Sequence, residues 1–133
     1  MNCDSFFNCM PDTYISLGNW CCASTICKHE NLKTWSGPFD WIISNVDQVE
    51  HLLSTNFSDF LSSEYLSEYN LNGHTVTENT SIITNNQYAD LNFNHLLFVH
   101  KNPKESNMLS YYQRAINRFA IVMRSDVCIV IVV

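Results

Sequence analysis

The chain has 133 residues, of which 46% are apolar, so it is long enough to bury one hydrophobic core and too short for two. We therefore predict one domain over residues 1–133, with a flexible lead at residues 1–11. The net charge of −6, with only 7 Lys and Arg residues, leaves no basic surface of the kind that nucleic acids require. The chain shows neither a signal peptide nor an apolar run of about 18 residues, so we expect an intracellular, cytoplasmic protein without a membrane span.

The first predicted unit is a strand, a tight turn and a helix. Apolar and polar residues alternate over residues 12–17 and stop at Gly18, which is typical of a strand that enters a turn. Residues 20–31 then keep apolar side chains at helical spacing, with Asn19 as the predicted cap.

The middle of the chain is less regular. Ser36-Gly37-Pro38 interrupts the pattern, and we predict a second helix from Phe39 to Leu53 with Asp40 or Ser44 as its cap. Residues 56–68 are predicted as a short helix or an irregular loop, followed by a turn at residues 70–73. The β-branched and aromatic residues between 75 and 99 predict two strands joined at Asn85-Asn86.

The last third predicts a helix and a strand. Seven apolar residues share one helical face: Leu109, Tyr112, Ala115, Ile116, Phe119, Ala120 and Met123. The aliphatic run at residues 127–133 predicts a strand buried on both faces. We expect an α/β fold, a small and mainly parallel sheet that includes residues 14–17 and 127–133 and is flanked by helices. A papain-like α+β arrangement is the alternative.

Cys21 is a candidate nucleophile because it lies where the first helix begins. The backbone N–H groups of a helix N-terminus are unpaired and favour a thiolate, and they can also stabilise an oxyanion. Cys22 and Cys27 compete with it, and each of the three could simply fill the core. Adjacent cysteines, together with the isolated Cys128, indicate reduced thiols rather than a disulfide framework.

A cysteine nucleophile needs a histidine to take its proton and later return it. His29, His51 and His74 lie at positions typical of surface residues. His95 and His100 flank a predicted strand, and His100 follows Leu96-Leu97-Phe98-Val99 at the end of it, where catalytic groups are often displayed. His100 is our choice of base, although a polar residue that merely ends the strand fits the spacing as well.

The remaining candidates have ordinary alternatives. Asp40 could orient a catalytic histidine or cap a helix, and Arg114 and Arg118 could grip a substrate carboxylate or be solvated. A zinc site built from Cys21, Cys22, Cys27 and His29 lacks the usual Cys-X-X-Cys spacing, so we expect neither metal nor cofactor.

Four motifs then occur in order: Ser16-Leu17-Gly18-Asn19-Trp20-Cys21, Pro38-Phe39-Asp40-Trp41, Val99-His100, and Arg114-Ala115-Ile116-Asn117-Arg118-Phe119 ahead of the aliphatic run. In this ordered set the chain resembles the putative papain-like cysteine peptidase family, whose function is unknown. The resemblance covers roughly residues 14–133, with residues 57–84 similar only in character.

This resemblance implies a thiol hydrolase that acts on a peptide or isopeptide bond of a peptide or protein substrate. Cys21 would be its nucleophile, His100 its base and Asp40 a possible orienter. The substrate would contact Gly18, Asn19, Trp20, Cys22, Arg114 and Arg118. Two departures, Lys101-Asn102 in place of the family's Asp-Phe and an apparently shortened C-terminus, favour an alternative: an inactive remnant of the family that serves as a binding module.

Overall fold

The computed structural model describes residues 13–17, 21–81, 95–126 and 129–132. The predicted lead at residues 1–11 and the predicted turn at Asn85-Asn86 lie outside these residues. The described part contains three helices: α1 (Cys22–His29), α2 (Val46–Ser54) and α3 (Ser106–Arg124). It also contains six strands: β1 (Thr13–Ser16), β2 (Ile42–Ile43), β3 (Leu66–Leu71), β4 (His74–Asn79), β5 (Leu96–Phe98) and β6 (Ile129–Val132).

The strands form two sheets, and the prediction of a mainly parallel sheet was wrong. The larger sheet has the strand order β2-β5-β4-β3 and is antiparallel throughout. The smaller sheet is the parallel pair of β1 and β6. A tight turn can only join antiparallel strands, whereas a parallel pair needs a long connection, and the helices and the larger sheet lie between β1 and β6 along the chain. The arrangement is α+β, as in our alternative.

A hairpin explains why this sheet is antiparallel. Asn72 and Gly73 join β3 to β4, with positive φ angles of 50° and 84°, as the two central residues of a type I′ turn require. Asn70 Oδ1 accepts a hydrogen bond from Gly73 N at 3.0 Å. The sequence correctly predicted a turn here, but not β3 before it, where we expected a short helix or an irregular loop. The two strands predicted between residues 75 and 99 correspond to β4 and β5, which form an antiparallel pair.

The second helix begins later than predicted. Ile42 and Ile43 form β2 and are both buried, so the helix that we expected from Phe39 starts at Val46. Its cap is Asn45, not Asp40 or Ser44. Asn45 Oδ1 accepts from Gln48 N, and Gln48 Oε1 accepts from Asn45 N, each at 3.0 Å. This reciprocal pair is a capping box.

The core is a chain of aromatic contacts that joins the larger sheet to α3. Phe60 lies 5.2 Å from Phe98 and 5.6 Å from Tyr112 between ring centroids. Phe39 meets Phe119 edge to face at 5.9 Å. Helix α3 therefore packs on the sheet through the apolar face that its spacing predicted, although Met123 at its end is 50% exposed.

Strand β6 differs from the prediction of a strand buried on both faces. It pairs with β1 alone among the described strands, and Ile131 is 51% exposed. Ile15 of β1 is buried in the aromatic core, against which Ile129 packs. The small sheet thus buries part of its surface against the core and leaves Ile131 in solvent.

Candidate active site

Helix α1 begins directly after Cys21, which occupies the N-cap position. Cys21 makes no side-chain cap hydrogen bond, so among the described residues no side chain occupies the N–H groups of the first turn, which can stabilise a ligand or a developing negative charge. The predicted cap, Asn19, lies outside the described residues. The Cys21 carbonyl accepts from both Thr25 N and Thr25 Oγ1 at 2.9 Å, which anchors Cys21 to the helix. Its side chain is half-buried, whereas Cys22 is exposed and Cys27 is buried.

His100 lies just beyond β5, and the sheet register aligns it with the Pro-Phe-Asp-Trp motif. Ile42 of β2 pairs with Phe98 of β5 in antiparallel register, so each step back along one strand matches a step forward along the other. Continued by two residues, this register places Trp41 opposite Val99 and Asp40 opposite His100. Trp41 and His100 are therefore diagonal neighbours, and their rings meet edge to face with centroids 5.7 Å apart.

The segment after His100 is anchored to its surroundings. The Lys101 carbonyl accepts a hydrogen bond from Tyr112 Oη at 3.2 Å, and Asn102 Oδ1 accepts one from Thr77 Oγ1 at 2.7 Å. Burial raises the pKa of Tyr112, which keeps its hydroxyl protonated as a donor. Lys101 and Asn102 therefore hold the end of the His100 strand in place.

Asp40 is buried in an ion pair with Lys33. Lys33 Nζ lies 2.7 Å from Asp40 Oδ2, and the two side chains are 12% and 5% exposed. Gly37 N donates to the same carboxylate at 3.0 Å, and Lys33 Nζ donates to Ser24 Oγ at 2.8 Å. Burial raises the pKa of Asp40, while Lys33 and the hydrogen bonds of Gly37 and Ser24 oppose the rise.

Lys33 has a further partner in the ring of Trp41, whose centroid lies 4.8 Å from Nζ. This is the geometry of a cation–π contact. The ion pair borders a cavity with room for about one water molecule. Its walls come from β1, α1 and the segment between α1 and β2: Tyr14, Ile15, Ser16, Ser24, Cys27, Lys33, Trp35, Gly37 and Asp40.

The structure brings some of the candidate residues together and separates others. Trp41, directly before β2, meets His100 beyond the end of β5, and Ser24 links Lys33 to the Cys21 helix. Within the described residues no hydrogen bond joins Cys21 to His100. The carboxylate of Asp40 is bound by Lys33 and Gly37 N, not by a histidine. Gly18, Asn19 and Trp20 lie outside the described residues.

Arg114 and Arg118, the predicted substrate-binding arginines, lie at exposed positions of α3. Neither forms an ion pair with a described residue.

Lys33 was missed by the sequence analysis because it belongs to no motif and stands in an irregular segment, where a lysine is normally solvated. His51, which we expected to be solvated, is only partly exposed and pairs with Asp59, with Nε2 and Oδ2 2.7 Å apart.

The described residues contain no group of three or more His, Cys, Asp or Glu side chains that could hold a metal ion. None of the helices in this part of the chain is both long and apolar enough to cross a membrane.

Comparison with known proteins gives one family. A family model described as putative papain-like cysteine peptidase matches residues 12–132. No curated protein and no solved structure matches the chain. The match includes the Cys21 segment, the Pro-Phe-Asp-Trp motif and His100.

Proposed function

The chain belongs to the putative papain-like cysteine peptidase family, and we propose that it is a cysteine hydrolase with Cys21 as nucleophile and His100 as general base and acid. The observation that carries the proposal is the position of Cys21 at the N-cap of α1, where its own side chain makes no cap hydrogen bond. That position offers both a field that favours the thiolate and free N–H groups for an oxyanion.

The proposed substrate is a peptide or isopeptide bond. The Cys21 thiolate attacks the carbonyl carbon, and the carbonyl oxygen takes up negative charge beside the N–H groups of the first turn of α1. His100, protonated by the thiol, then gives its proton to the departing amine. Water, deprotonated by His100, hydrolyses the thioester and returns the free thiol. No metal or organic cofactor takes part in these steps.

The contact between His100 and Trp41 supports the choice of His100, because it holds the imidazole against a motif residue. The missing hydrogen bond to Cys21 is compatible with this role, since nucleophile and base often close to bonding distance only when substrate is bound. We assign Asp40 an indirect part, through the side chains that it fixes, and Cys22, Arg114 and Arg118 the binding of substrate, together with Gly18, Asn19 and Trp20.

Hydrolysis of a mixed peptide library, followed by mass spectrometry of the products, tests the proposal. We expect cleavage by the parent protein, loss of cleavage in Cys21→Ala, and retention in the control variant Cys27→Ala, which removes the buried thiol of α1. Cleavage that survives Cys21→Ala would contradict the assignment of the nucleophile.

A second candidate function is a binding module without catalysis. Two observations favour it: Cys21 and His100 are not hydrogen-bonded, and the carboxylate that could orient His100 is paired with Lys33. The parent protein would then cleave no library peptide, and Cys21→Ala would leave its binding of partners unchanged.

A further inference from the structure

Lys33 is a buried cation whose partners lie on both sides of the candidate site. Burying an ammonium group is costly unless its charge and its three donors are satisfied. Asp40 Oδ2 at 2.7 Å and Ser24 Oγ at 2.8 Å accept hydrogen bonds from it, and the Trp41 ring lies 4.8 Å away. Among the described lysines and arginines, Lys33 alone forms an ion pair. The local structure is thus built around this one charge.

Two of these partners lead directly to the proposed catalytic groups. Ser24 is three residues after Cys21, so the two residues lie about one turn apart on the same side of α1. Trp41 carries the ring that meets His100 at 5.7 Å and 86°. Lys33 therefore touches one residue that is fixed to the nucleophile helix and one that is in contact with the base.

A gain in stability alone does not account for such an arrangement. A buried ion pair contributes little net stability compared with an apolar pair of the same size, because desolvation offsets the attraction. The pair instead constrains geometry. The ammonium group is fully satisfied only where it lies between Ser24, Asp40 and the face of the Trp41 ring. This requirement fixes the distance between the start of α1 and the start of β2.

We propose that Lys33 is a positioning residue of the cysteine hydrolase site, which sets the placement of His100 relative to Cys21 through Ser24 and Trp41. The inference rests on the proposed function, since it presupposes that Cys21 and His100 act as a pair. Lys33 itself touches neither the thiol nor the substrate. Asp40 has the complementary task of holding the ammonium group in place.

The test measures how far the reactivity of Cys21 depends on His100. Alkylation of Cys21 by iodoacetamide is followed by fragment mass spectrometry, and the rate with His100 present is divided by the rate in His100→Ala. We expect this ratio to exceed one in the parent. It should also exceed one in the control variant Lys28→Met, which removes an exposed lysine of α1. In Lys33→Met the ratio should fall to within about twofold of one, the scatter expected of uncoupled sites.

Two more variants separate positioning from folding, because Lys33→Met leaves the Asp40 carboxylate buried without its cation. Lys33→Met combined with Asp40→Asn keeps the cluster neutral and should fold, yet its ratio should stay near one. Lys33→Arg keeps a cation beside Trp41 and should recover a ratio above one. A purely structural role would change the melting temperature and leave the ratio intact.

A folded Lys33→Met, Asp40→Asn protein with the parent's ratio would overturn the role of Lys33 and leave the Cys21–His100 pair standing. A ratio of one in the parent would instead overturn the pair, and the proposed function with it. The two failures are therefore distinguishable.

Discussion

Three consecutive residues of the Pro-Phe-Asp-Trp motif do three different things. Phe39 is buried against Phe119, Asp40 holds Lys33, and Trp41 lies against His100. The sequence analysis assigned only Asp40 of this motif to the site, as a possible orienter of the histidine, and gave Phe39 and Trp41 no role there. The role of Asp40 depends on Lys33, which no spacing rule connects to it.

The contact between Trp41 and His100 predicts a spectroscopic effect. The ring current of Trp41 should displace the proton resonances of the His100 imidazole, because the two rings meet edge to face at 5.7 Å. Trp41→Leu should shift these NMR signals toward those of a solvated histidine. Trp35→Leu removes a tryptophan that bonds Thr13 instead, and it should leave them in place. Equal shifts in both variants would contradict the contact.

Burial of Asp40 predicts how stability depends on pH. Its pKa is raised above the ordinary value of 3.8, so the native state binds this proton more tightly than the unfolded state does. The contribution of Asp40 is fully present below 3.8 and is lost as the pH rises through the native pKa.

The free energy of unfolding of the parent, minus that of Asp40→Asn, should therefore decrease as the pH rises from acid toward neutral. Urea denaturation of both proteins across this range measures the difference. A difference that increases with pH would mean that Lys33 outweighs burial and that the pKa is lowered.

At the scale of the elements, apolar spacing located the helices better than it located their ends. The apolar face of α3 was predicted correctly, because one side of a 19-residue helix repeats its pattern several times. Helix α2 was extended back to Phe39 because Ile42 and Ile43 continue its apolar spacing. Their actual state depends on pairing with β5, more than fifty residues away along the chain, which local periodicity does not contain.

The capping box of α2 predicts a stability loss on substitution of Asn45. Asn45→Ala removes the acceptor for Gln48 N and should lower the free energy of unfolding by about 1 kcal/mol. Asn117→Ala, at an exposed position inside α3, is the matched control and should be neutral or slightly stabilising. Urea unfolding of both variants makes the comparison, and equal stabilities would argue against Asn45 as the cap.

The hairpin turn makes a separate prediction. A Cβ atom added at Gly73 meets nothing within 4 Å, but the φ angle of +84° strains any other residue. Gly73→Ala should therefore destabilise the fold by about 1 kcal/mol without a steric clash. In Gly37→Ala the added Cβ atom makes ordinary contacts with Asp40 and Trp35, so this variant should lose less stability. Thermal unfolding of both variants measures the two losses. The reverse order would contradict the turn geometry.

At the scale of the whole molecule, the aromatic core connects the sheet that ends at His100 with helix α3. Phe60 is completely buried among Phe57, Phe98 and Tyr112. Phe60→Ala should cost about 3–5 kcal/mol of unfolding free energy, because it leaves a cavity that rigid neighbours cannot fill. Phe60→Leu should cost much less. Chemical denaturation measures the free energy of unfolding of both variants. A small loss of this free energy in Phe60→Ala would mean that the core is loosely packed.

The fold class illustrates what the sequence left open. The two strands that we expected in the core of the sheet, at residues 14–17 and 127–133, do pair in parallel as β1 and β6, yet the larger sheet is antiparallel. The deciding signal was Asn72-Gly73, which favours a hairpin. For the candidate site, the ordered motifs supplied Cys21, Asp40 and His100, whereas Lys33 became visible only through its contacts.

The measurement that tests the central claim most directly is the alkylation rate of Cys21, resolved from Cys22 and Cys27, in the parent and in His100→Ala. The account predicts that Cys21 is alkylated faster than Cys22, because His100 takes up the proton of its thiol. It also predicts that His100→Ala abolishes this reactivity while Cys22 reacts as before. Ordinary reactivity at Cys21, unchanged in His100→Ala, would contradict the claim that these two residues form a catalytic pair.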